Sequence, residues 1–86
     1  MTIEVRKPTE EERKKASSWP IWTKEASCFP WRYDMTETCL ILEGEVTVKT
    51  AQGTVSFKAG DWVVFPSGLE CVWTVKKPAR KRYHFS

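Results

Sequence analysis

From Ile21 onward, glycine, proline or aspartate interrupts the apolar residues every few positions. Two of these interruptions carry fixed spacings, Glu37-x6-Gly44 and Gly60-x5-Pro66-x-Gly68-x2-Cys71. An amphipathic helix needs about 10–12 uninterrupted residues, whereas a strand needs only about 4–8, so this punctuation leaves room for strands alone. The spacing predicts strands near Trp22–Ala26, Pro30–Tyr33, Glu37–Glu43, Glu45–Thr50, Thr54–Lys58, Trp62–Phe65, Glu70–Val75 and Arg80–Phe85. Glu43-Gly44 breaks one pair, Ala51-Gln-Gly53 makes a hairpin, and Ala59-Gly-Asp61 makes the next turn. Many short strands at close spacing predict an all-β sandwich or barrel.

The N-terminal part reads differently. Thr2–Arg6 alternates weakly and suits an edge strand, and Thr9-Glu-Glu-Glu12 after Pro8 is a capping box that starts one or two helical turns. That helix has few apolar residues and belongs on the surface. Trp19-Pro20-Ile21-Trp22 then brings aromatic side chains back toward the core.

The chain has 86 residues, which suits one domain with no second core. So short a chain removes only about 60–65% of its unfolded surface from water on folding. Its 13% aromatic content, with five tryptophans, therefore predicts an aromatic-rich core. A formal charge of +3, spread along the chain, points to neither nucleic acid nor membrane as a partner. The densest basic cluster, Lys76, Lys77, Arg80, Lys81 and Arg82, reads as a solvated, charge-protected edge strand. The competing reading is a positive edge that meets an anion or an acidic partner. Three cysteines without a CxxC element suit reduced thiols inside a cell. No apolar run reaches the ~18–20 residues that span a bilayer, and no signal-peptide core is present, so a soluble intracellular protein is expected, cytoplasmic or organellar.

In the strand Glu37–Glu43, one face carries Glu37, Cys39 and Ile41 and the other Thr38, Leu40 and Leu42. Both are partly apolar, and a single barrel has only one interior. The second face needs a cover from the N-terminal segment or from another subunit, which motivates the expectation of a homodimer.

The two spaced segments resemble the signature motifs of the cupin superfamily, G-x5-H-x-H-x3–4-E-x6-G and G-x5-P-x-G-x2-H-x3-N. Glu37 and Gly44 match the end of the first, and Gly60, Pro66 and Gly68 match the second. Trp31 and Tyr33 stand at the two histidine positions of the first motif. Cys71 and Val75 replace the histidine and asparagine of the second, and Glu25 stands where the first motif opens on glycine. The match covers residues of about 31–75. The chain is also similar to a branch of very small single-domain cupins grouped with ureidoglycine aminohydrolase, a manganese-dependent enzyme of purine catabolism. It shares with them Trp-Pro-Ile-Trp at 19–22, Glu-Thr-Cys at 37–39, Leu-Glu-Gly at 42–44 and Phe-Pro-x-Gly at 65–68. The resemblance implies a cupin-type β-barrel, a jelly roll, with a short N-terminal helical segment.

A metal-dependent cupin needs about three or four nitrogen and oxygen ligands on one ion. In the motif register the site would be Trp31, Tyr33, Glu37 and Cys71. Trp cannot ligate, neutral Tyr is a poor ligand, and Glu37 with a Cys71 thiolate gives two ligands of unlike softness. No metal or other cofactor is therefore expected. The register instead predicts an aromatic-lined pocket of Trp31, Tyr33, Glu37, Cys39, Cys71 and Trp73, the character of a small-molecule site. An anionic Glu37 beside aromatic faces would favour a cationic or amide-bearing ligand. The bland alternative is that the rings simply fill a small barrel while Glu37 bonds Tyr33.

Cys71 is not a convincing nucleophile, because a reactive thiol needs a nearby cation or base and Glu37 acts the other way. His84 alternates with Arg80 and Arg82, opposite Lys81, Tyr83 and Phe85, and either face could be the inner one. A histidine on a terminal strand beside arginines is expected at the surface. The leading functional reading is a metal-free module that binds a small organic ligand or serves in protein interaction. The alternative is an enzyme related to (S)-ureidoglycine aminohydrolase acting on a small nitrogenous substrate.

Overall fold

The computed structural model describes residues 1–86. Its elements run β1 (Glu4–Arg6), α1 (Glu10–Ala16), β2 (Ile21–Lys24), β3 (Ser27–Arg32), β4 (Glu37–Thr50), β5 (Gly53–Lys58), β6 (Trp62–Phe65) and β7 (Glu70–Phe85). All seven strands form one antiparallel sheet in the order β1-β6-β4-β7-β2, with β3 also on β7 and β5 also on β4. The all-β cupin fold with a short N-terminal helix, expected from the sequence, is the fold observed.

Two strands organise it. β4 pairs with β6 through its first half and with β5 through its second, while β7 pairs with β3 and then with β2. The two also pair with each other nearly end to end. Each of them joins two strands that the punctuation separates, Glu37–Glu43 with Glu45–Thr50, and Glu70–Val75 with Arg80–Phe85. Gly44 and Pro78 bend these strands without ending them. The β4–β7 register shifts between Ile41 and Val46, and Gly44 has φ +99° there. Such bulges let one long strand turn a barrel corner and change partner.

This placement corrects the reading of the C-terminal basic cluster as an edge. β7 has partners on both sides, and Lys81 is buried with Ala79, the inward alternation resuming after the exposed stretch Lys76-Lys77-Pro78. The other basic residues of the cluster lie outside, where Lys77 faces Glu45 at 3.7 Å and Arg80 faces Glu43 at 3.9 Å. Exposed pairs of this kind contribute little, about 0–1 kcal/mol.

The Glu37–Cys39–Ile41 face of β4 enters the barrel, where Tyr33, Phe57, Phe65 and Trp73 form the aromatic centre of the core. Tyr33 stacks on Phe65 with ring centroids 4.9 Å apart, and Phe57 meets both Phe65 and Trp73 edge-on at 5.8 and 5.6 Å. Each buried ring of this size contributes about 1.5–3 kcal/mol. The opposite face carries Leu40, which packs in a separate small cluster with Ala16 and Trp62, bordered by Trp19, Leu42 and Val64. Of the two covers expected for that face, the N-terminal segment is the one seen.

α1 is held in place at its start. Thr9 and Glu12 close the capping box, and Arg6 grips both Glu12 oxygens at 2.7 and 2.6 Å. The Arg6 bonds, with those from Thr9, lower the Glu12 carboxyl pKa to about 2. α1 has seven residues, and no helix is long and apolar enough to cross a membrane.

Candidate functional site

Residues of β2, β3 and β7, with Tyr33 and Glu37, line a cavity of about 520 Å³ that is open to solvent on one side. Trp22, Phe29, Trp31 and Trp73 form its aromatic walls, Tyr83 and Phe85 continue them along β7, and Glu37, Tyr33 and Lys81 supply polar groups. The volume falls in the range of about 300–1,000 Å³ usual for small-molecule pockets, and 7 of its 11 lining residues are hydrophobic.

Four of the residues expected in a pocket line it, namely Trp31, Tyr33, Glu37 and Trp73. Trp31 is 50% exposed and stands at the mouth, edge-on to the buried Tyr33 at 6.4 Å. Cys39 and Cys71 do not line it. Cys39 is fully enclosed in the core, where its thiol donates to the Val63 carbonyl at 3.6 Å. Cys71 donates to the Trp31 carbonyl at 3.6 Å and is packed in the core beside Tyr33 and Trp73 without reaching the cavity wall. Strand parity correctly turns both thiols inward, but it does not say how deep along the barrel each one sits. Burial raises the Cys39 thiol pKa, with Lys81 opposing it. Burial raises that of Cys71 as well, against a lowering contribution from Trp73. Both are therefore inert thiols at neutral pH. His84 lies on the outer face, stacked on Trp19 at 5.4 Å, away from the pocket.

The group missing from the sequence reading is Lys81. Its Nζ donates to Glu37 Oε2 at 2.7 Å, and the two side chains are only 7% and 3% exposed. The same ammonium lies 4.6 Å from the ring centroids of both Trp22 and Trp73. Lys81 thus takes the position between aromatic faces and carboxylate that a cationic ligand would occupy. Aromatic faces and the carboxylate jointly offset the cost of removing the ammonium from water. Register sets the Trp22 contact, since Trp22 is the direct partner of Lys81 across β2–β7, whereas Glu37 is opposite Phe85 on the other side of β7 and is reached along the strand by the long Lys81 side chain.

Glu37 also governs Tyr33. Burial raises the Tyr33 phenol pKa far above its ordinary value, and the nearby Glu37 carboxylate raises it further. The sign of the linkage follows from that direction. The folded state holds the phenolic proton more tightly than the unfolded chain, so this contribution to stability is complete below about pH 10 and declines as pH rises beyond it. In a Tyr83→Phe background, tyrosinate absorbance on alkaline titration is expected only together with loss of tertiary structure. Its appearance while the fold is intact would show that Tyr33 is not sealed by Glu37.

The donor set does not fit a cupin metal. No group of three or more His, Cys, Asp and Glu side chains is gathered to hold an ion. Glu37 is engaged by an ammonium, which is a donor and not a ligand, and Tyr33 and the two buried thiols are held protonated.

The sequence matches the EutQ-like cupin domain over residues 11–83. Among solved structures it is similar to a DUF861 family protein from Thermotoga maritima, at 46% identity and TM-score 0.94, covering 99% of this chain and 100% of that one. A putative ethanolamine utilization protein Q from Salmonella typhimurium matches at 24% identity and TM-score 0.70, over 99% of this chain and 69% of that one. The EutQ protein of Clostridium difficile matches at 20% and TM-score 0.70, over 76% of this chain and 52% of its own length. No curated protein matches the sequence. With its match to that domain extending over most of its length, the chain belongs to the EutQ-like cupin family.

Proposed function

We propose that this protein is a binding module whose barrel pocket takes a small organic ligand without a metal. The observation that carries the reading is the aromatic cavity of about 520 Å³ that ends on a buried ion pair, Lys81–Glu37. Rings alone would fill a barrel more cheaply than a buried charge pair does, since such pairs at best roughly break even against apolar packing. Polar groups placed at the end of an apolar pocket are the means by which a site orients its ligand.

A fragment screen followed by the indole N–H resonances tests this. Fragments that bind are expected to shift the signals of Trp22, Trp31 and Trp73 and to leave Trp19, on the opposite face, unmoved. Shifts confined to Trp19 and Trp62, or none at all, would remove the pocket and favour an interaction module. The alternative of a ureidoglycine aminohydrolase-type enzyme draws on the family resemblance and on no further feature of the site.

A homodimer is a separate proposal, and Ala16 and Trp19 of the N-terminal segment pack on part of the apolar face that motivates it, leaving Leu42 and Val64 partly exposed. A sedimentation mass of two chains at micromolar concentration would support it, and a mass of one chain would remove it.

A further inference from the structure

We propose that the pocket receives a flat aromatic carboxylate, with its ring against the indoles and its carboxylate between Lys81 and Lys24. This inference rests on the pocket reading above and names the class of ligand. Three formally charged side chains line the cavity, Lys24, Lys81 and Glu37, which leaves one positive charge in excess. A ligand with one negative charge balances the set, whereas a cation would raise the excess to two.

The hydrogen-bonding capacity agrees. An ammonium has three donors, and the hydrogen bond that Lys81 makes goes to Glu37. Its remaining N–H groups have only the Trp22 and Trp73 rings, which are weaker acceptors than a carboxylate. Lys24 stands two residues along β2 from Trp22, opposite Ala79, so Lys24 and Lys81 are diagonal neighbours across β2–β7. Diagonal Cα atoms in such a pair lie about 7–8 Å apart, within the span that two lysine side chains close around one carboxylate. The Lys24 ammonium already leans over the Phe29 ring at 5.2 Å, on the cavity wall. The arrangement is a deep cation whose charge is shared with Glu37 and a rim cation with no carboxylate partner, separated by aromatic surface.

The test uses benzoate, benzamide and benzylamine, three probes with one ring and different charge, titrated against the full chain and followed by tryptophan fluorescence. Benzoate is expected to bind at least about tenfold more tightly than the other two. Lys24 is exposed, so Lys24→Met should fold normally, and it is expected to weaken benzoate about three- to tenfold and leave benzamide unchanged. Benzamide or benzylamine binding as tightly as benzoate, or a Lys24→Met variant that binds benzoate undiminished, would overturn the carboxylate assignment and leave the pocket standing. Absence of any response to all three probes at millimolar concentration would overturn both.

Discussion

Lys81→Met is expected to lower the unfolding free energy by roughly 3–5 kcal/mol, because it strands the Glu37 carboxylate in a barrel interior with no cation beside it. The side chain removed is 7% exposed, and the carboxylate left behind is 3% exposed. Methionine keeps most of the packing against Trp22 and Trp73, so the loss reports the charge and not a cavity. In a domain of this length each kcal/mol moves the melting temperature by about 4–8 °C, so a fall of roughly 12–40 °C is expected in a thermal scan. The double variant Lys81→Met/Glu37→Gln separates the two contributions. Gln keeps the shape of the Glu37 side chain and removes the unpaired charge, so the pair of changes is expected to recover most of the stability that the single change loses. A Lys81→Met protein within about 1 kcal/mol of the parent would mean that the ammonium and the carboxylate are each solvated on their own, contrary to the geometry.

Lys81 also shows where the sequence ceases to be legible. The parity of Cys71, Trp73 and Val75 identifies the inner face of β7, lapses at the exposed Lys77 beside Pro78, and resumes at Ala79 and Lys81. Pro78 argues for a break, since proline cannot donate to a ladder, and the run of basic residues argues for solvent. Both are local arguments, and the long-range pairing with β4 overrides them. It carries the strand through Pro78 and turns one cation of the cluster inward while its neighbours stay outside. The turn glycines are read more securely, because a positive φ is a local property. Gly60 and Gly68 take φ values of +95° and +86° in turns, as read, whereas Gly44, at φ +99°, forms a bulge inside β4 in place of the break its motif position suggests. The capping box at Thr9 is equally local and forms as read. Of the pocket residues, Trp31, Tyr33, Glu37 and Trp73 follow from motif register and parity. Lys24, Trp22 and Phe29 come from β2 and β3, whose place on the sheet depends on which half of β7 each one meets.

The other large effect belongs to Gly44, where Gly44→Ala is expected to cost roughly 2–5 kcal/mol, from a strained backbone and a close contact together. At φ +99° an L-residue is strained even with free space around it. Here there is none, since a β-carbon would lie 2.5 Å from the Pro78 carbonyl oxygen and 2.8 Å from both the Ala79 Cα and the Lys77 carbonyl oxygen. All three are backbone atoms, so no side-chain rotation relieves the contact, and β4 and β7 must separate where their registers shift past each other. That crossing carries the sequence on to Lys81, so the expected signature is loss of stability together with weakened ligand binding. Gly53→Ala is the matched control, because Gly53 also has a positive φ, +132°, yet nothing lies within 4 Å of the added carbon. It should show the backbone contribution alone, about 1–3 kcal/mol, with the pocket unaffected. Chemical denaturation of both variants beside fragment binding decides the matter. A Gly44→Ala protein no less stable than Gly53→Ala would show that the β4–β7 crossing opens freely, and the close approach of the two strands would then not be what fixes Lys81 against Glu37.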